Sequence, residues 1–164
     1  MGRSDQTAKV IYQGLLDRLT DAYNAGDFLA FQQHIRLPHE ITTPDESFVI
    51  QTVDEMKKVF QRHLDYSKQI GMNIYHRRCL EAQFLEGCCI KGTHVSRLMR
   101  DAVQLTPPFE VECMMHRIEG QWLLSSAFNR AKRNSSVRHA LRAVQQQGSE
   151  QPDKGTNSPT AKET

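Results

Sequence analysis

Residues 109–129 read FEVECMMHRIEGQWLLSSAFN, an alternating pattern broken by one turn signal. Glu119-Gly120 is a two-residue hairpin turn, which sets Ile118 opposite Gln121. That register divides the hairpin into two faces, because successive strand residues point to opposite sides and a slip of one would turn every side chain over. One face carries Glu112, Met114, His116, Ile118, Leu123, Ser125, Ala127 and Asn129. The other carries Phe109, Val111, Cys113, Met115, Trp122, Leu124 and Phe128, and is too apolar to meet water uncovered.

Working outward, Gly87 and Pro107-Pro108 cut the rest of 73–130 into further strands, so the hairpin closes a meander of four long strands. Before Gly71 the period is helical. Between Thr7 and Asn24, Ile11, Leu15, Leu19 and Tyr23 recur in one stripe, flanked by Tyr12, Leu16 and Ala22. Asn24-Ala25-Gly26-Asp27 then gives a glycine stop and a fresh N-cap, which places Phe28, Phe31 and Ile35 on a short second helix ended by Pro38. A strand at His39 to Thr43, the turn Pro44-Asp45-Glu46-Ser47 and a strand at Phe48 to Gln51 follow. Thr52 with Glu55 has the form of a capping box. It opens a third helix with Met56, Val59, Phe60, His63 and Ile70 on its inner side and Gly71 at its end.

The 164 residues suffice for one core of ordinary size. No apolar run approaches the roughly 18 residues that span a bilayer, and no apolar signal core follows Met1-Gly2-Arg3-Ser4-Asp5, so a cytoplasmic protein is expected. Cysteines at 79, 88, 89 and 113 lack CxxC spacing and read as reduced, structural thiols. Residues 1–129 hold 14 Lys and Arg against 16 Asp and Glu, which gives no global reason to seek nucleic acid. The expected domain covers 1–131. A basic segment at 132–147, with Arg133, Arg138 and Arg142, fits a short amphipathic helix, and 148–164 is polar, unpatterned and expected to be disordered.

This order of elements resembles the superfamily of nuclear transport factor two, the steroid isomerases and the SnoaL-type polyketide cyclases. The resemblance is carried by Asp21-Ala22-Tyr23-Asn24-Ala25-Gly26-Asp27, by Thr42-Thr43-Pro44 and by Glu119-Gly120-Gln121-Trp122-Leu123-Leu124, within residues 7–131. It implies an α+β fold in which a curved sheet, mixed or antiparallel, wraps as a cone around three N-terminal helices. It also implies that the steroid isomerases' tyrosine, aspartate base and second acid align with Leu19, Thr43 and Met114. None of these side chains supplies a base of near-neutral pKa, and Leu and Met offer no oxyanion donor, so that reaction is not expected.

Because Thr43 and Met114 align with inward positions of the family, the mixed face is assigned to the concave pocket. Pocket candidates are Leu19, Tyr23 and Thr43, with Glu112, Met114, His116, Ser125 and Asn129 from the last hairpin. Glu112 and His116 are about 13 Å apart along the strand and do not pair directly. His116 either acts with Thr43 or a bound water, or is satisfied by a backbone carbonyl. His63 reads as core, and His39 lies at the surface or the rim. A first hairpin turned at Glu86-Gly87 sets His76 opposite Arg97 with Arg78 beside them, either an anion site or a solvated outer wall. The seven histidines form no HxH or HxxxH pair, so neither a metal nor a cofactor is expected.

The expected function is therefore a homodimer that binds a small, mostly apolar ligand in the cone. It pairs through an outer face of Val111, Met115, Trp122, Leu124 and Phe128. The alternatives are a SnoaL-like isomerase, cyclase or dehydratase with non-standard residues, and a partner-binding module acting through the outer sheet or basic tail.

Overall fold

The computed structural model describes residues 3–86 and 88–130. The expectations for 132–147 and 148–164 lie outside them. Helix α1 spans Arg3–Ala25 and stops where Gly26 adopts φ +67. Asp27 caps α2 (Phe28–Gln32), its carboxylate accepting the Ala30 N–H at 3.0 Å. Strands β1 (Ile35–Thr42) and β2 (Ser47–Ile50) form the first hairpin. The capping box is present: Thr52 Oγ1 accepts from Glu55 N, and the Glu55 carboxylate accepts from Thr52 N, at the start of α3 (Val53–Gln69). The long strands β3 (Ile74–Leu85), β4 (Cys89–Arg100), β6 (Phe109–Ile118) and β7 (Gln121–Asn129) follow, with the two-residue β5 (Val103–Gln104) paired to β4. None of these helices is long and apolar enough to cross a membrane.

The strands lie in the order β2-β1-β7-β6-β4-β3, with β1 parallel to β7 and the other pairs antiparallel, an open mixed sheet. Helix α1 runs along the β3 edge. There Gln13 accepts from Cys79 N at 2.7 Å and donates to the Arg77 carbonyl at 3.2 Å, occupying backbone groups that an edge strand leaves bare. Its stripe of Tyr12, Leu15, Leu16 and Leu19 is fully buried. Tyr12 lies so flat on β4 that a Cβ at Gly92 would stand 2.4 Å from its ring, so glycine is what allows helix and strand to approach.

The first strand begins earlier than expected. Ile35 opens β1 rather than riding on α2, and Pro38 lies inside the strand, where the pairing with β7 shifts between Ile35 and Glu40. Proline is tolerated there because the ladder is already irregular. His76 does pair with Arg97 on the outer face, by compensation: Leu85 pairs with Cys89 across a longer turn, and a bulge between Cys79 and Glu81 restores the register.

The last hairpin turns at Glu119-Gly120, both at positive φ, with Ile118 opposite Gln121 as its sequence predicts. Its faces are the reverse of the expectation. Val111, Cys113, Met115 and Leu124 are buried in the core with the α1 stripe, and half-buried Trp122 meets Phe84 at 6.2 Å between ring centroids. The chain's own elements bury Val111, Cys113, Met115 and Leu124 of this apolar face, which was expected to lie outside. A bulge at Ser125 then exchanges the two faces of β7: Ala127 and Asn129 turn inward, opposite Cys113 and Val111, while Phe128 turns outward, opposite Glu112.

Candidate functional site

Between α3 and the concave side of the sheet lies a cavity of about 130 Å³. Its wall is largely apolar. Phe31 of α2, Met56, Val59 and Phe60 of α3, and Ile41, Val111 and Leu124 of the sheet line it. A cavity of roughly 150 Å³ holds a benzene ring, which sets the scale of an occupant.

The polar groups in this wall come from separate strands and helices. His39 of β1 is 5% exposed, and its Nδ1 has no hydrogen-bond partner. Burial pulls its pKa down to about 4, against the opposing pull of a hydrogen bond to the Ser125 backbone. A ring bond that favours the charged form is one the ring donates, so the other nitrogen, Nδ1, is left as a bare acceptor. His94 of β4 is 2% exposed, and its Nδ1 lies 2.8 Å from the Tyr12 hydroxyl, which is also 3.1 Å from the Gly92 carbonyl. Burial, helped by the Arg77 charge, holds His94 at about 3.

On α3, half-buried His63 is held at about 4 by burial and, secondarily, by Arg77. The Tyr23 hydroxyl lies 2.6 Å from Ser67 Oγ, and burial pushes its pKa up to about 12. Burial likewise pushes the Cys113 thiol up to about 12, which leaves it protonated and unreactive near neutral pH. Arg77 of β3 completes the set: its Nε donates to Thr20 Oγ1 at 2.9 Å, and its guanidinium sits 4.7 Å over the Tyr75 ring. Among the described residues no three His, Cys, Asp or Glu side chains converge as a metal set.

No family model matches the sequence, and no curated protein does. Solved structures do. A protein of unknown function from Mycobacterium tuberculosis matches at a TM-score of 0.61 and 14% identity, over 84% of this chain and 88% of its own. A cystatin-like-fold domain of unknown function from Nostoc punctiforme matches at 0.60 and 12%, over 92% and 95%. A protein described as NTF-2 like, also of unknown function, from Shewanella oneidensis matches at 0.55 and 15%, over 73% and 96%. This chain has the nuclear transport factor two-like fold.

Within the nuclear transport factor two-like cone, the expected pocket residues part company. Tyr23 and Asn129 line the cavity. Leu19 is fully buried in the core beneath α1. Thr43 is buried, but its hydroxyl closes the turn, donating to the Glu46 carbonyl and accepting from Glu46 N, both at 3.2 Å. Glu112, Met114 and His116 point to the outer face: Glu112 pairs with Lys91 at 3.1 Å, and His116 Nδ1 lies 2.7 Å from Ser125 Oγ. Ser125 is the bulge residue, its hydroxyl also donating to the Met114 carbonyl.

The residues that carry the cavity's polarity, His39, His94 and Arg77, are not among those candidates. The signal for His94 was present, since it alternates with Ile90, Gly92, Ser96 and Leu98, and all five are buried on the inward side of β4. Arg77 likewise alternates with Tyr75 and Cys79 on β3.

Proposed function

We propose that this chain binds a small, mostly apolar molecule inside the cone, with a hydroxyl of the ligand donating to His39. The observation that carries the reading is the bare Nδ1 of His39, buried and without a partner, on a residue that lines a largely apolar cavity. An orphaned buried acceptor costs stability until something donates to it. A binding role also suits the electrostatics better than a reaction does: a ring held at about 4 is a good neutral acceptor but a weak base at neutral pH, and among the described residues no carboxylate lines the cavity to serve in its place. If two copies associate, Met114 and Leu123 on the outer face join Phe128, which alone of the five residues first expected there lies outside.

Phenol is a suitable probe. In nuclear magnetic resonance titrations it should shift the resonances of Val111 and Leu124, and His39→Leu should weaken it by about tenfold, the equivalent of roughly one buried hydrogen bond. A His39→Leu protein that binds phenol as well as the wild type would reject the reading.

A further inference from the structure

The cavity's charge is one-sided. Arg77 lines it from β3, half-buried at the rim, and no carboxylate lies within ion-pair distance of its guanidinium among the described residues, where the ion pairs are Lys91–Glu112 and Arg130–Glu110. Among the described residues no Asp or Glu lines the cavity either. The remaining titratable groups in the wall are His39, His63, His94, Cys113, Tyr23 and Tyr75. Burial holds the three histidines neutral near neutral pH, and Cys113 and Tyr23 stay protonated.

The field of Arg77 reaches the inner wall, and at Cys113 it outweighs the opposing pull of Glu112. It pushes down His63 and His94 and lowers Cys113, but it does not act on His39. That pattern agrees with the topology. Strand β3 ends the sheet and β1 lies four strands away, so Arg77 and His39 approach the cavity from opposite sides. Among the described residues the partners of this half-buried cation are the Thr20 hydroxyl and the Tyr75 ring, and neither of them is an anion.

We propose that the ligand is a small organic monocarboxylate, its carboxylate on Arg77 at the rim, its apolar body among Val59, Phe60, Val111 and Leu124, and a hydroxyl at its far end donating to His39. The proposal rests on the ligand-binding reading above and adds the charge and polarity of the ligand. A guanidinium offers a carboxylate two parallel donors, and such charge-assisted pairs are the strong ones. One cation and no anion in the wall select a single negative charge. Amines are repelled by Arg77, and a neutral phenol leaves it unpaired.

Titration calorimetry of the full chain with 3-hydroxybenzoate and its neutral isostere 3-hydroxybenzamide, alongside phenol, tests this. The acid should bind at least about tenfold tighter than the amide. That preference should vanish in Arg77→Met, survive in part in Arg77→Lys, and shrink as salt is raised. Arg77→Lys also serves if Arg77→Met does not fold, because there the preference for the acid should shrink without vanishing. Equal affinity for acid and amide, or a preference that persists in Arg77→Met, overturns the charge assignment while phenol binding keeps the cavity reading intact. If none of the three binds, the cavity reading falls, and the charge assignment with it.

Discussion

Lowering the pH from about 7.5 to about 5 protonates histidines in the unfolded chain but leaves the rings of His39 and His94 neutral in the fold, where they titrate at about 4 and about 3. Unfolded histidine titrates near 6.5. Because the folded values are depressed, the unfolded state binds more protons between the two, and the stability present above about pH 6.5 is lost as pH falls toward the folded values. At 1.36 kcal/mol for each pKa unit, each ring costs about 2 kcal/mol at about pH 5, and the two together about 4 kcal/mol. His63, also at about 4 but half-buried, adds to this by less. Against a usual domain stability of about 5–15 kcal/mol, such a loss is large. Urea unfolding followed by Trp122 fluorescence over a pH series would measure it. His39→Leu should remove about half of the two-ring loss, roughly 2 kcal/mol. A free energy of unfolding that does not change over this range, or a His39→Leu protein with the wild-type pH dependence, would refute the burial of these rings as neutral groups.

Two further perturbations test how helix and sheet meet. Gly92→Ala places a methyl 2.4 Å from the Tyr12 ring, so it should cost about 1–3 kcal/mol or more and lower the melting temperature by several degrees, with Tyr12→Ala in the same chain recovering part of the loss. Wild-type stability in the single variant would show that α1 does not press on β4. Met115→Arg puts a charge at a fully buried position and should abolish cooperative unfolding, whereas an outward Met115 would leave a well-folded protein with a normal melting curve.

Much of the architecture was legible in sequence because local rules govern it. The Thr52–Glu55 capping box, the break at Gly26 and the turn at Glu119-Gly120 each depend on residues within a few positions of one another, and all three stand as read. The early start of β1 was missed because Pro38 reads as a stop, and only pairing with distant β7 makes it a strand residue. Alternation on β6 and β7 established two faces and their register, but a strand does not carry the information of which face its helices will cover. Tertiary packing decided that: the apolar wall of Val111, Cys113, Met115 and Leu124 buries most surface against α1 and so turns inward, carrying Glu112, Met114 and His116 out. The bulge at Ser125, an unpaired residue that no local signal announces, then turned Asn129 inward and Phe128 out. The site itself was a tertiary product. Arg77 and His94 share the β3–β4 hairpin, but His39 lies on β1, four strands from β3, and only the curvature of the sheet brings it to the same cavity.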